Sequence, residues 1–237
     1  MAQGTRIISC PGTSANSAEF WYNASVYLIG VGMRVLFFGD SIVYGAWDTE
    51  GGWVDRLKRN VHKSTLQTNG SRKSQLINLG IGGNNSAGLL SRLKNEIEAR
   101  RSASWPFAFV VCIGTNDERS INGVVETSPE QFESNMRQIC EMLKAISDKV
   151  LILGIPPLGM DTVVFKDQEY SNERIVQYDA IVQRVASEQG LKYIPLNPAF
   201  ENSVSKNLFS DDNIHPNDTG HKLIADTVEP HLMEMLK

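Results

Sequence analysis

Residues 34–41 read RVLFFGDS, an apolar run that stops on a glycine, an aspartate and a serine. Its central residues, Val35 to Phe38, have the length and composition of a parallel strand that is buried on both faces. Open α/β sheets bind their ligands in the crevice at the carboxyl ends of the strands. The stretch therefore predicts a central strand, and it makes Ser41 a candidate nucleophile at that edge of the sheet.

Four more apolar runs of strand length follow along the chain, with helical patterns of apolar residues between them: QLINLG, FAFVVCIG, KVLILGIPP and LKYIPL. Parallel strands joined by right-handed helical crossovers form a doubly wound sheet. We therefore predict a flavodoxin-like α/β fold with three α/β/α layers and a five-stranded parallel sheet in the order 2-1-3-4-5. The connection at 158–175 is long, which indicates a functional loop or a helix entry.

Charge and cysteine content exclude several classes of protein. The 237 residues carry 23 basic and 27 acidic side chains, a net charge of −4, and no basic run exceeds Arg100-Arg101. This scattered charge argues against a nucleic-acid partner. The cysteines Cys10, Cys112 and Cys140 are too far apart for a disulfide framework or a zinc motif and suit a reducing compartment, so we expect a cytoplasmic protein. No apolar run reaches the ~18 residues of a membrane span.

Residues 1–32 differ from the rest of the chain in being small, polar and aperiodic, with only a modestly apolar stretch near their end. They lack the basic start, apolar centre and cleavage site that a secretory signal needs. We expect them to be a flexible or artificial extension, with Met33 as a plausible natural start. Residues 33–237 are expected to form a single domain, because a chain of this length can bury one core.

Residues that carry chemistry follow the strand ends at one predicted edge of the sheet. They are Ser41 after the first strand, Gly83 after the second, Asn116 after the third, and Asp212 with His215 after the fifth. An acyl-transfer site needs a nucleophile, a base, an acid that orients the base, and donors for the developing oxyanion. This set supplies each part.

The spacing of Asp212 and His215 favours a direct contact between their side chains. Two intervening residues allow them to meet across one tight turn, so the carboxylate can hold one ring N–H and leave the other nitrogen facing Ser41. At Gly83 the backbone can approach a substrate closely. The side-chain amide of Asn116 would be a further donor beside the N–H of Ser41.

Four blocks of sequence, in this order along the chain, resemble the GDSL-type or SGNH hydrolases: GDS at 39–41, the glycine within IGGNNSAG, GTND at 114–117 and DxxHP at 212–216. The resemblance covers residues 33–237, and Ile42 replaces the leucine that usually follows GDS. It implies hydrolysis of esters or thioesters through an acyl-serine, without a metal or a cofactor. The implied roles are nucleophile for Ser41, base for His215, orienting acid for Asp212, and oxyanion hole for Ser41, Gly83 and Asn116.

Other interpretations of these residues are weaker. Asp211, Asp212 and His215 could form a metal site, but no further ligand has suitable spacing. The glycines at 80–83 lack the third glycine of a dinucleotide fingerprint. Residues 39–43 lack the second glycine of the α/β-hydrolase elbow. A non-catalytic binding module with this fold is the alternative from another class, and it is disfavoured because no catalytic position is missing.

The candidate substrate contacts are Asp40, Tyr44 and Trp47 near the nucleophile and Pro157 after the fourth strand, with residues 158–165 as a second possible lining. Asp40 has an alternative role, which is to hold the turn. Aromatic side chains suit a sugar face or an aryl or alkyl ester, and no large inserted lid is evident. We therefore expect a small-molecule ester with a short acyl chain, acetylated carbohydrates included. Lysophospholipids and acyl-thioesters are the alternatives.

Overall fold

The computed structural model describes residues 32–68 and 73–237. The interpretation of residues 1–32 as an extension therefore falls almost wholly outside the described residues. Nine strands and seven helices form within them. In chain order they are β1 (Arg34–Gly39), α1 (Ser41–Tyr44), α2 (Gly52–Gln67), β2 (Gln75–Gly80), α3 (Ser86–Glu98), β3 (Phe107–Cys112), β4 (Ser120–Ile121), β5 (Val124–Val125), α4 (Pro129–Lys144), β6 (Val150–Leu153), β7 (Thr162–Phe165), β8 (Gln168–Ser171), α5 (Asn172–Glu188), β9 (Lys192–Ile194), α6 (Asn197–Glu201) and α7 (Asp218–Met235).

The central sheet contains five parallel strands in the order β2-β1-β3-β6-β9. Counted within this sheet alone, the order is 2-1-3-4-5. The predicted doubly wound α/β fold is confirmed. β1 pairs on both sides, with β2 and with β3, which places the strand that precedes Ser41 inside the sheet.

Alternate residues of β1 enter two separate cores, one on each face of the sheet. Leu36 and Phe38 pack with residues of α3, α4 and α5. Val35 and Phe37 pack with residues of α2 and α7 on the other face. The Phe37 ring meets the edge of Trp53 from α2, with 5.6 Å between the ring centroids. Both faces are covered, which explains why the β1 sequence is apolar without alternation.

A second, antiparallel sheet of four strands has the order β5-β4-β8-β7. We predicted a loop or a helix entry at 158–175, and the structure corrects this, because most of that stretch forms the hairpin of β7 and β8. Val163 is buried while its neighbours Thr162 and Val164 are exposed, which is the alternation of a strand with one covered face. β4 and β5 have only two residues each, too few for a periodic pattern in the sequence.

Two glycines allow the chain at 41–44 to lie close against the edge of the sheet. Gly39 ends β1 opposite Gly80 of β2 and Cys112 of β3, so the three strands end at one level. A Cβ atom at Gly39 would lie 2.1 Å from the carbonyl oxygen of Cys112, and one at Gly80 would lie 2.1 Å from the backbone nitrogen of Tyr44. Any side chain at either position would push the chain at 41–44 away from the edge.

Cys112 and Cys140 are buried with free thiols, as their apolar surroundings predicted. Cys10 lies outside the described part of the chain. None of the helices in that part is long and apolar enough to cross a membrane.

Candidate active site

Ser41 is the first residue of α1, a single helical turn directly after β1. The carboxylate of Asp40 caps this turn by accepting the backbone N–H of Ile42 at 2.9 Å. Gly45 ends it with φ +94°, a conformation that glycine adopts without strain. The strand, the cap and the short turn together bring the serine hydroxyl out at the carboxyl edge of the sheet.

Asp40 lies beneath the nucleophile and has only 2% of its surface exposed. Burial raises the pKa of its carboxyl group to about 7, although backbone hydrogen bonds oppose the shift. We predicted Asp40 as a candidate substrate contact, but the structure buries its side chain in the protein interior. It fits the alternative role, which is to hold the turn.

His215 lies between Ser41 and Asp212 and contacts both. Its Nε2 atom is 2.8 Å from Oγ of Ser41, a residue 174 positions earlier in the chain. Its Nδ1 atom is 2.7 Å from Oδ2 of Asp212. The structure thus brings the three residues into one continuous chain of hydrogen bonds, in the order serine, histidine and aspartate.

Asp212 is held by several donors of its own loop. Its Oδ1 accepts the backbone N–H groups of Ile214 and His215, each at 2.9 Å, and the hydroxyl of Ser210 at 2.8 Å. Burial alone would raise the pKa of this carboxyl, but the donors of His215, Ile214 and Ser210 together outweigh burial and lower the pKa to about 2. Asp212 is therefore ionised at neutral pH, and an ionised carboxylate only accepts, so the hydrogen of this bond is on Nδ1 of the imidazole.

Trp47 contacts both Asp212 and His215. Its indole Nε1 donates to Oδ2 of Asp212 at 3.0 Å, and its ring stands nearly perpendicular to that of His215, with 6.1 Å between centroids. Its backbone has φ +66°, which is unusual for a bulky residue. We predicted Trp47 as a substrate contact, and the contact with Asp212 was not foreseen. With 65% of the residue exposed, part of its surface still faces solvent, as does Tyr44.

Gly83 and Asn116 lie on adjoining turns. Gly83 has φ +74°. A Cβ atom there would meet nothing within 4 Å, so the space on that side of its backbone is open. Asn116 is buried, and its amide donates to the carbonyl of Asn84 at 3.1 Å. Because a side-chain amide carries two hydrogens, this bond leaves a second one to donate. The hydrogen bond ties the third predicted block directly to the second.

Sequence reasoning missed the residues that hold these turns in place. Arg92 of α3 donates to the side-chain oxygen of Asn84 at 3.0 Å and to the carbonyl of Gly39 at 3.2 Å. Asp117 is fully buried and accepts the backbone N–H and the hydroxyl of Ser86 at the start of α3. An aspartate so soon after the apolar run at 107–113 was a usable signal for such a role. Arg92 lies in an ordinary helical pattern and gave none.

A cavity of about 450 Å³ opens beside His215 and Asp212. Its opposite wall is formed by Met160 and the β7–β8 hairpin. Part of the predicted lining at 158–165 therefore lies beside His215 and Asp212. Pro157, another predicted substrate contact, instead lines a separate cavity of about 340 Å³ with Phe200 and Leu208. Among the residues that the structure describes, no group of three or more His, Cys, Asp or Glu side chains is placed to hold a metal ion.

Comparison with known proteins gives concordant results. A family model described as the GDSL-like lipase/acylhydrolase family matches residues 37–223. A GDSL esterase/lipase of Arabidopsis thaliana is 26% identical over 213 residues, which are 82% of this chain and 83% of that protein. A lipase/acylhydrolase from Enterococcus faecalis has a similar structure, with a TM-score of 0.69 at 20% identity, over 86% of this chain and 97% of that one. An acetylxylan esterase from Geobacillus stearothermophilus gives 0.63 at 20% identity, over 88% and 95%.

Proposed function

The chain belongs to the GDSL-like lipase/acylhydrolase family of carboxylic ester hydrolases, and on that premise we propose that it cleaves short-chain esters through an acyl-serine intermediate. The observation that carries this proposal is the hydrogen-bonded chain from Ser41 Oγ through His215 to Asp212. A serine hydroxyl becomes an effective nucleophile when an adjacent base accepts its proton during attack.

In the first step, Ser41 Oγ attacks the ester carbonyl carbon while its proton passes to Nε2 of His215. The 2.8 Å separation of these two atoms is within the range for direct proton transfer. The carbonyl π electrons move to the oxygen, and a tetrahedral oxyanion forms. The ionised carboxylate of Asp212 stabilises the imidazolium that results.

The oxyanion receives hydrogen bonds from the backbone N–H groups of Ser41 and Gly83 and from the amide of Asn116. Donors placed where negative charge develops lower the barrier because they need no reorganisation during the reaction. When the intermediate collapses, the bond from carbon to the leaving oxygen breaks and His215 gives its proton to that oxygen. Water, activated by the same imidazole, then hydrolyses the acyl-serine and regenerates the Ser41 hydroxyl.

Short acyl groups, including the acetyl groups of carbohydrates, are the proposed acyl portion. The similarity to an acetylxylan esterase supports this, as do the exposed aromatic residues Tyr44 and Trp47 near the nucleophile. Lysophospholipids and acyl-thioesters would use the same reacting groups, so a panel of substrates is needed to separate the three classes.

The direct test is rapid mixing with p-nitrophenyl acetate together with a serine-directed fluorophosphonate label. We expect an initial burst of p-nitrophenol or stoichiometric labelling at Ser41, and both should be absent in Ser41→Ala. A correctly folded parent protein that neither turns over nor takes up the label would contradict the proposal and would favour a non-catalytic binding module.

A further inference from the structure

The cavity between the β7–β8 hairpin and the loop at 211–215, which we term the hairpin cavity, is assigned no role by the mechanism above. We propose that it binds the alcohol portion of the ester, and that it selects neutral, apolar alcohols of several carbons. This inference rests on the proposed function, since it concerns the same reaction at Ser41.

The position of His215 in the cavity wall decides which part of the ester enters. The tetrahedral carbon carries Ser41 Oγ, the oxyanion, the acyl chain and the leaving oxygen. Only the leaving oxygen must come within hydrogen-bond distance of Nε2 to receive the proton. Because His215 lines the hairpin cavity, we infer that the cavity continues from the leaving oxygen and that the acyl chain extends in another direction.

The hairpin cavity has a largely apolar lining. Its apolar residues are Met160, Val163, Val164, Phe165, Tyr170 and Ile214. Met160 is 51% exposed and Phe165 is 56% exposed, large fractions for such side chains. Apolar surface that a bound alkyl or aryl group would remove from water favours binding by the hydrophobic effect. The cavity's volume lies in the lower part of the range of about 300–1,000 Å³ for small-molecule sites, which leaves room for several carbons.

The charges in the wall oppose an anionic leaving group. Asp211 and Asp212 both line the cavity, and apart from His215 no basic side chain is among the described residues that line it. Lys166 lies over the Phe165 ring, with 5.3 Å from its Nζ to the ring centroid, but it lines a different cavity. A leaving group with a phosphate a few bonds from the ester oxygen, such as that of a lysophospholipid, would meet carboxylates without a matching cation.

Two ester series test the assignment. In the series of acetates of linear alcohols from ethanol to hexanol, kcat/KM should rise by up to about fourfold for each added methylene group. This factor corresponds to the free energy of about 0.8 kcal/mol for burying one methylene group. In ethyl esters of linear acids from acetate to hexanoate, we expect no comparable rise. A flat alcohol series, or an equal rise in the acid series, would overturn the proposal.

Variants of the hairpin locate the effect. Phe165→Ala should lower the ratio of kcat/KM for hexyl acetate to that for ethyl acetate about tenfold, the scale for lost contacts in an apolar pocket. Met160→Ala should lower it in the same direction. Val124→Ala is the matched control, because Val124 is an exposed apolar residue of the same small sheet that does not line the cavity. An unchanged ratio in both hairpin variants, or an equal fall in the control, would contradict the assignment.

The effect of charge is tested with a leaving group that carries its phosphate close to the ester. The enzyme should cleave 2-acetoxyethyl phosphate with at least tenfold lower kcat/KM than butyl acetate. The reverse order would refute selection of neutral leaving groups. Failure of the proposed function is recognised separately, because in that case Ser41 gives neither a burst nor a label and no ester of either series is cleaved. A normal burst together with kcat/KM values that do not depend on the alcohol would contradict only the role proposed for the hairpin cavity.

Discussion

The indole Nε1 of Trp47 donates a hydrogen bond to Oδ2 of Asp212, at 3.0 Å, and this is the same oxygen that contacts Nδ1 of His215. The bond adds a donor from a distant part of the chain to those that Asp212 receives from its own loop. It also accompanies a strained backbone, because φ at Trp47 is +66°. Strain of this kind persists where the surroundings impose it, often at functional sites.

Replacement of Trp47 should separate activity from stability. Trp47→Phe keeps the strain and loses the donor, so we expect kcat to fall about tenfold, the lower end of the scale of about 1.5–3 kcal/mol for a hydrogen bond to a charged group. Trp47→Gly also loses the ring but relieves the backbone, so its Tm should be at least that of Trp47→Phe. Steady-state kinetics and thermal unfolding of both variants measure the two effects. Parent-like kcat in both would show that Asp212 does not need this donor.

Ser41 and His215 should behave as one unit. Ser41→Ala and His215→Ala are each expected to lower kcat by about 10⁴- to 10⁶-fold, because either change abolishes nucleophilic attack. The double variant should be hardly slower than either single variant. Rates of p-nitrophenyl acetate hydrolysis, corrected for the uncatalysed reaction, provide the comparison. Losses that multiply in the double variant would mean that the two residues act independently.

Asn116→Ala should reduce kcat by about 10²- to 10³-fold with little change in KM, because the amide is proposed to act on the oxyanion and not on the bound ester. The substitution also removes a hydrogen bond to Asn84, so Tm should be recorded with the kinetic constants. A kcat within threefold of the parent value would remove Asn116 from the oxyanion hole.

Asp40 should make the protein less stable as the pH rises. Its pKa in the folded protein is about 7, above that of an aspartate in the unfolded chain. Between pH about 4 and about 7 the unfolded chain therefore releases this proton while the folded protein retains it, so stability falls through that window and stays lowered above it. Asp40→Asn keeps an oxygen that can accept from Ile42 and removes the ionisation.

The measurement for Asp40 is denaturant unfolding of the parent and Asp40→Asn at pH 4.5 and pH 7.5. We expect the free energy of unfolding of the variant minus that of the parent to be larger at pH 7.5 than at pH 4.5. The same difference at both values would show that the pKa of Asp40 is not raised by burial.

Much of the fold and the site could be predicted from local sequence. The apolar run at 35–38 encodes a strand buried on both faces, and the five-stranded order followed from the alternation of strands and helices. The contact of Asp212 with His215 could also be predicted, because it spans only three positions within one loop. The short strands β4 and β5 could not be predicted, since two residues cannot show a period and the pairing of β4 with β8 joins segments far apart in the chain.

The sequence by itself determined which chemical groups the protein carries and that each follows a strand at the same edge, because periodicity and turn residues act over a few positions. Only the tertiary structure decided the distances between them. The 2.8 Å contact of His215 with Ser41, the indole bond to Asp212 and the hairpin wall of the cavity all join segments far apart in the chain. Such contacts depend on how whole layers pack against each other, and that packing sets both the reacting geometry and the space for a substrate.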